Sequence, residues 1–467
     1  MAAENRDQGN IRPTMSRPED GPSAPELRRT MNGRDVVLFL VAAVVGLRWI
    51  ATSAAAGPSG LVVWLIGFVA FFIPLAFTVI ALAARYPDEG GLYVWTREAF
   101  GEFAGFMSGW MYWTSNLVYF PGLLYFSVGN ALYIGHWQSL NDSATYYIIA
   151  SLVGLIIAFG LNVVGLGVGK WLHNAGGVGS WLPILILVVM GGVAWARFGP
   201  ATQLTAASLV PSVSLKEIAF WSTIAFGFSG LETASFMGGE IRDPRRTIPR
   251  AILTSGAIIT AIYVLGTAAI LVALPPGQVS GLQGITQAID STATRIGLGF
   301  LGPLSAILIT IGNVGGVGAW LASVARLPFA AGIDRVLPPA FGRLHPRWGT
   351  PHVALWVQAV GAGLFVILGQ AGTNVKGAYD ALVSIGVIAN FIPYLVMFAA
   401  AMKLVRGPLA IVFGVLGLAV TGGAIALATL PPDDSTDPVL AVTKVVGASV
   451  VLVVVGAVLF AMGRRRR

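Results

Sequence analysis

Long apolar runs that carry very few charges constrain this chain more than any other feature of its sequence. A helix that crosses a membrane needs about 20 mostly apolar residues, because the hydrocarbon core is ~30 Å thick and each helical residue rises ~1.5 Å. About twelve runs reach that length, and each is predicted to form one transmembrane helix. These runs lie at residues 36–57, 60–84, 104–132, 145–166, 177–198, 217–239, 250–274, 300–326, 352–371, 379–402, 407–430 and 438–462.

The composition agrees with a membrane protein and excludes several other classes. Only 11% of the 467 residues are charged and the mean hydropathy is +0.77, whereas a soluble domain carries about 25% charge. The basic residues stand in short patches between apolar runs, which is typical of membrane loops and not of a nucleic-acid-binding face. With no cysteine and four scattered histidines, the chain indicates neither a metal site nor a cofactor. The absence of a catalytic cluster argues against an enzyme, and the absence of a GxxxxGK(S/T) motif argues against an ATP-driven pump.

The distribution of Lys and Arg predicts the orientation of the helices. With the N-terminus on the cytoplasmic side, 23 of the 29 Lys and Arg residues fall in cytoplasmic segments, five fall in external segments and Arg48 lies within a span. Because cytoplasmic loops carry an excess of Lys and Arg, both termini are predicted to be cytoplasmic in a multi-pass protein of the cell inner membrane. Residues 1–35 are polar, have no early apolar core and are predicted to be a disordered cytoplasmic tail. Residues 463–467 are predicted to be a short basic cytoplasmic tail.

Two of the predicted spans are interrupted. The first contains the segment GLRW at residues 46–49, which places an arginine inside an apolar run. The sixth contains FGFSGLE at residues 226–232, with two glycines three residues apart and an acid shortly after. In lipid, a broken helix is tolerated only where its freed backbone groups face protein or a watery cavity. Broken helices at corresponding places in two halves of a chain indicate a transporter site near the middle of the membrane.

The order of the spans predicts two repeats of five helices. Spans 1–5, at residues 36–198, and spans 6–10, at residues 217–402, each begin with a broken helix. An odd number of spans in each set inverts the second set relative to the first. Residues 407–462 supply two accessory helices, so the predicted fold is an all-α membrane protein with a 5+5 inverted repeat.

Arg48 and Glu232 are the charges deepest in the two broken spans. Either would cost roughly 2.5–3.5 kcal/mol at the centre of a helix in lipid, so each is expected to face a cavity, a partner or the other. A salt bridge between them would neutralise both, and such a pair could be a static lock that touches no substrate. Alternatively, one fixed positive and one fixed negative charge would suit a zwitterionic substrate. Burial would favour a protonated Glu232 and a salt bridge an ionised one, so a proton stays open as a coupling ion.

Other polar side chains within spans are weaker candidates. Asn116 and Tyr119 are three residues apart and share a face of span 3, and Asn313 lies in span 8 beside the small residue Gly312, which is interpreted as a close-packing position. Hydrogen bonding between helices is the alternative role for the polar side chains. Less specific candidates are Trp320, Asn390 and Tyr394. The predicted substrate-binding residues are Gly46, Leu47, Arg48, Trp49, Asn116, Tyr119, Phe226, Gly227, Phe228, Ser229, Gly230, Glu232 and Asn313.

The loop from Glu240 to Arg250 is dense in charge. Its first interpretation is contact with anionic membrane lipid, together with orientation of the chain. The alternative is an inner gate in which the arginines of this loop pair with Asp88 or Glu89.

Three loop segments resemble those of the amino acid–polyamine–organocation superfamily. In chain order they are YPDEGGLYVWTREAFG at Tyr86–Gly101, FSGLETASFMGGEIRDPRRTIPRAI at Phe228–Ile252 and AGIDRVLPPAFGRLHPRWGTP at Ala331–Pro351. The corresponding loops of that superfamily follow one another in the same order. The resemblance implies an inverted-repeat fold that holds its substrate between the unwound parts of helices 1 and 6. It also implies secondary transport of amino acids or related amines, as an exchanger or a proton-coupled symporter. A membrane sensor or subunit that keeps the fold without transport is the alternative function.

Helix 1 departs from the general pattern of that superfamily. Most members have Gly-Ser/Thr-Gly there, whose backbone N–H groups bind the substrate carboxylate, whereas this chain has Gly46-Leu47-Arg48-Trp49-Ile50. That version resembles the glutamate:GABA antiporter-like branch. Two roles are therefore open for Arg48, which either replaces the carboxylate cradle or holds Glu232.

Overall fold

The computed structural model describes residues 31–86, 91–164, 166–212, 214–236, 241–324, 336–343, 345–347, 350–431 and 437–465. Apart from one isolated bridge between Met31 and Ile241, every regular element within these residues is a helix. The helices are α1 Gly33–Val44, α2 Leu47–Ala56, α3 Ser59–Arg85, α4 Gly91–Phe100, α5 Glu102–Ala131, α6 Ala144–Val164, α7 Leu166–Phe198, α8 Ala206–Leu209, α9 Leu215–Gly227, α10 Thr233–Phe236, α11 Pro244–Ala273, α12 Gly284–Arg295, α13 Leu301–Val324, α14 His352–Gly369, α15 Val375–Val405, α16 Pro408–Ala428 and α17 Pro438–Arg464.

The first predicted span is broken at the expected place. Helix α1 ends at Val44, helix α2 begins at Leu47, and the two are bent by 51°. Asn32 caps the start of α1, because its side chain accepts the backbone N–H groups of Arg34 and Asp35 while the Asp35 carboxylate accepts the N–H of Asn32. The helix thus begins three residues before the predicted span. Residues 1–30 of the predicted tail lie outside the described residues.

The sixth predicted span is also broken. Helix α9 ends at Gly227, and the short helix α10 begins at Thr233. Gly230 stands between them with φ +116°, a backbone conformation that side-chain-bearing residues rarely adopt. A Cβ at Gly230 would also lie 3.3 Å from Val44, so glycine permits both the turn and the close approach of the two breaks.

The remaining predicted spans are present as helices. Nine helices of the described residues are long and apolar enough to cross a membrane, and the bent pair α1 and α2 makes a tenth. The other two predicted spans correspond to α5 and to the pair α9 and α10. Helix α5 is rich in Trp, Tyr, Ser and Asn, which lowers its hydropathy although it has 30 residues. The all-α membrane fold is thereby confirmed, and the exact repeat boundaries stay a prediction.

Helix α5 occupies the centre of the bundle and packs against α6, α13, α14, α15 and α17. Nearly all of its residues from Gly105 to Asn130 are buried, so it has no broad lipid-facing side. Helices α7 and α13 approach so closely that a Cβ at Gly312 would lie 2.6 Å from the backbone of Gly179. The prediction that Gly312 is a close-packing position is therefore confirmed.

Two amphipathic connecting helices, α4 and α12, were not predicted. Their mixture of polar and apolar residues gives them too little mean hydropathy for a span. Helix α12 packs against α2, α7 and α13. The side chain of Asn130 joins α12 to α5, because it accepts the Thr286 hydroxyl at 2.7 Å and donates to the Leu282 carbonyl at 2.8 Å.

The segment before α1 is joined to the segment after α10. The backbone N–H of Arg242 donates to the carbonyl of Met31 at 2.9 Å. Helix α1 also packs along α10 and α11. The start of α1 and the residues that follow α10 are thus held together by a backbone hydrogen bond.

Candidate functional site

A cavity lies between the two broken spans and helices α5, α13 and α15. The space between the side chains there, including its part open to solvent, is about 530 Å³. Five of its wall residues are aromatic, and its polar groups include one carboxylate. The residues that line it are Ala43, Val44, Trp49, Tyr112, Ser115, Asn116, Tyr119, Phe226, Ser229, Gly230, Glu232, Trp320 and Asn390.

Glu232 places a carboxylate on the wall of this cavity, just before α10. Its side chain is only 1% exposed. Tyr112 of α5 donates to Oε1 at 2.9 Å, Tyr394 of α15 donates to Oε2 at 2.5 Å, and the backbone N–H of Gly230 reaches Oε2 at 3.2 Å. A carboxylate has about four lone-pair positions, and three donors leave one of them open. Among the described residues no basic side chain forms an ion pair with Glu232.

Arg48 does not meet Glu232 in this structure. Its side chain is 2% exposed, and its guanidinium carbon lies 4.1 Å from the ring centre of Trp49 and 4.5 Å from that of Tyr119. Both of these rings line the cavity, so the guanidinium sits behind the aromatic wall. The salt bridge considered from the sequence is therefore not formed, because tyrosines take the place of arginine at Glu232 and aromatic rings take the place of the acid at Arg48.

Tyr263 of α11 joins the two breaks to each other. Its hydroxyl accepts the N–H of Gly46 at 3.1 Å and lies 2.8 Å from the carbonyl oxygens of both Val44 and Gly227. A hydroxyl has one hydrogen, so those two carbonyls share it. The ring of Tyr263 stacks on Trp64 with 4.0 Å between centroids. One fully buried hydroxyl thus forms hydrogen bonds with backbone groups that have no partner within either interrupted helix.

The structure brings seven of the thirteen predicted site residues to the cavity. They are Trp49, Asn116, Tyr119, Phe226, Ser229, Gly230 and Glu232. Gly46 and Gly227 instead hold Tyr263 through their backbone groups. The other four do not line the cavity either. Leu47 and Asn313 are buried elsewhere, and Arg48 lies behind the aromatic wall. Phe228 packs on Trp64 and Phe72. A substrate role for the thirteen stays a prediction.

Several lining or supporting residues were not among the predicted site residues. Tyr112 lies one turn before Asn116 on α5 and could have been found by extending the Asn116–Tyr119 face. Trp320 and Asn390 line the cavity, and Tyr394 holds Glu232, although all three were only weak candidates. Tyr263 had no signal of its own, because one tyrosine in an apolar span is unremarkable in a sequence.

The match to a known family decides the identity of the fold. The model of the amino acid permease family matches residues 32–455 of this chain, which is more than nine-tenths of its length. This chain belongs to the amino acid permease family. The permease is therefore a multi-pass membrane protein and a secondary transporter, not an enzyme.

Similar proteins from bacteria cover most of the permease. It is 29% identical over 383 residues to an uncharacterized transporter of Legionella pneumophila, which covers 81% of each chain. It is 27% identical over 377 residues to a probable agmatine/putrescine antiporter of Lactococcus lactis, covering 79% of the permease and 78% of that relative. A serine/threonine exchanger of Bacillus subtilis is 25% identical over 347 residues, covering 72% and 73%. The superfamily resemblance of the loops is confirmed, and membership of the glutamate:GABA antiporter-like branch stays a prediction.

The charged loop after α10 gives no further evidence for an inner gate. Asp88 and Glu89 lie outside the described residues, as does Glu240. Arg246 lies 3.8 Å from Asp243 of its own loop, and both side chains are largely exposed to solvent. The gate formed with Asp88 or Glu89 stays a prediction.

Proposed function

We propose that this permease exchanges amino acids or related amines across the cytoplasmic membrane, and that Glu232 binds the ammonium group of the substrate. The observation that supports this most is the buried carboxylate on the cavity wall, which has hydrogen-bond donors but no basic partner among the described residues. An ammonium group would supply the missing positive charge and would take the lone-pair position that the tyrosines leave open.

The aromatic wall supports a cationic group at the same place. Trp49, Tyr112, Tyr119, Phe226 and Trp320 all line the cavity. The face of an aromatic ring attracts a cation by about 0.5–2 kcal/mol, with the larger value where water is excluded. Agmatine, putrescine, serine and threonine, which stand in the names of the two relatives, all carry an ammonium group. Exchange is favoured over symport because both of those relatives are named as an antiporter or an exchanger.

Counterflow into proteoliposomes tests this function. Vesicles that contain the purified permease are loaded with a mixture of unlabelled amino acids and amines, and uptake of each labelled compound is measured from outside. We expect uptake of at least one of them to be stimulated several-fold by the internal mixture. Uptake that requires an inward proton gradient and no internal substrate would instead show symport. Uptake equal to that of protein-free vesicles for every compound would contradict transport. It would favour the alternative function, a membrane sensor or subunit that keeps the permease fold.

We also propose that both termini face the cytoplasm, since Lys and Arg are concentrated in the loops that this orientation places inside. The chain has no cysteine, so single cysteines can be introduced without a background. Ala207 in α8 and Arg343 between α13 and α14 are both exposed. An impermeant maleimide is expected to label an Ala207→Cys variant in intact cells and an Arg343→Cys variant only after the membrane is opened. The reverse pattern would show the opposite orientation.

A further inference from the structure

Arg48 is a buried cation for which the described residues supply no anion. It is 2% exposed, and its Nε atom is enclosed without a hydrogen-bond partner. None of the N–H groups of its guanidinium donates a hydrogen bond to the described part of the chain. No acidic side chain of the described residues lies within ion-pair distance of it. Glu232, the acid of the cavity, is already held by Tyr112 and Tyr394. A cation buried in this way is stabilised only by aromatic faces.

The hydroxyl of Tyr379 is a second unsatisfied donor beside Arg48. Tyr379 lies on the first turns of α15, is 4% exposed, and its hydroxyl has no hydrogen-bond partner among the described residues. Tyr379 lies one turn before Leu382 on α15, and Leu382 borders the same point of Gly122 on α5 as the Arg48 guanidinium does. An anionic oxygen is the best partner for a buried guanidinium, and a neighbouring hydroxyl can donate to the same anion.

Arg48 lies close to the cavity between the two broken spans. A Cβ at Gly122 of α5 would lie 2.9 Å from Nη1 of Arg48 and 3.9 Å from Leu382 of α15, so the guanidinium lies between α5 and α15. Gly122 is one turn beyond Tyr119, on the side where α15 begins. The guanidinium stacks on the rings of Trp49 and Tyr119, and both of these rings line the cavity.

We infer that Arg48, with Tyr379 as a second donor, binds the carboxylate of the substrate and thereby selects amino acids over the amines that lack a carboxylate. The inference rests on the proposed function, in which Glu232 binds the ammonium group. Glu232 on the cavity wall and Arg48 behind its aromatic rings then bind the two ends of an amino acid. A guanidinium suits this role because its planar fork can make two parallel hydrogen bonds to a carboxylate, which a lysine cannot do.

Pairs of compounds that differ only in the carboxylate test this inference. The exchange activity of the reconstituted permease is inhibited from outside with lysine or cadaverine, ornithine or putrescine, and alanine or ethylamine. For at least one pair, we expect the wild type to bind the amino acid tenfold or more tightly than its amine. An Arg48→Met variant is expected to reduce that ratio at least tenfold by weakening the amino acid alone. Tyr379→Phe is expected to reduce it about threefold, and Arg48→Lys to give an intermediate ratio.

Arg295→Met is the matched control for the loss of a stacked arginine. The guanidinium of Arg295 lies 3.6 Å from the ring centre of Phe198, away from the cavity, so its loss should leave the ratio unchanged. An unchanged ratio in an active Arg48→Met variant would overturn the inference, as would an equal weakening of amino acid and amine, which indicates a structural role. A wild type that exchanges amines without preferring amino acids would overturn it while leaving the proposed exchange intact. If no compound is exchanged at all, the proposed function fails and this inference fails with it.

Discussion

A Glu232→Gln variant is expected to exchange its substrate about 100-fold more slowly than the wild type. Glutamine has nearly the shape of glutamate, and its amide oxygen can accept from one of Tyr112 and Tyr394 while its NH2 group donates to the hydroxyl oxygen of the other. What it lacks is the negative charge that an ammonium group needs in a cavity of low polarity. Removal of one partner from a buried, hydrogen-bonded charge pair costs about 2–5 kcal/mol, and each 1.4 kcal/mol is about tenfold in affinity.

Counterflow at equal protein content measures this effect, and size-exclusion profiles show whether the variant is folded. Glu98→Gln is the control, because Glu98 pairs with Arg97 at 3.0 Å on an exposed surface, and its replacement should leave the exchange rate unchanged. A Glu232→Gln variant that exchanges within twofold of the wild type would show that the carboxylate does not bind the ammonium group. The proposed recognition of the substrate would then have to be abandoned.

A Tyr263→Phe variant is expected to be both less stable and about tenfold less active. The change removes one hydroxyl and leaves the N–H of Gly46 and the carbonyls of Val44 and Gly227 without their partner. A buried polar group without a partner costs about 1–3 kcal/mol, so the free energy of unfolding should fall by about 2 kcal/mol or more. Activity should fall because these three groups belong to the two breaks that border the cavity.

Tyr125→Phe provides a control of the same chemistry. Tyr125 is fully buried and its hydroxyl donates to the carbonyl of Val366 at 3.1 Å; it does not line the cavity and, among the described residues, bonds to no group of the breaks. Thermal unfolding in detergent and counterflow are measured on both variants. We expect Tyr125→Phe to lose little activity and at most about 1.5 kcal/mol of stability. Equal effects of the two changes would mean that Tyr263 has no special role at the breaks.

Hydropathy and backbone chemistry made the fold predictable. A membrane core admits only helices whose backbone groups are satisfied, so twelve apolar runs could hardly form anything else. The breaks were predictable for the same reason, because Gly46 with Arg48, and Gly227 with Gly230 and Glu232, are poorly tolerated inside a lipid-facing helix. Helices α4 and α12 were missed because amphipathic segments have no hydropathy signal.

The partners of the two buried charges were not predictable. Arg48 and Glu232 carry opposite charges on the two broken spans, which made a salt bridge the simplest expectation. The structure instead brings Tyr112 and Tyr394 to Glu232 from helices α5 and α15. Which side chains meet across a bundle depends on the rotation of each helix about its axis, and the uniform hydrophobicity of membrane helices leaves little periodic signal for that rotation.

The link between Met31 and Arg242 limits how the two broken spans can move. Met31 before α1 is bonded to Arg242 after α10, while Tyr263 bonds to Val44 and Gly227, where α1 and α9 end at the two breaks. A displacement of the start of α1 must therefore carry Arg242 with it or break that hydrogen bond, so movement of the first broken span is passed directly to the backbone that follows the second.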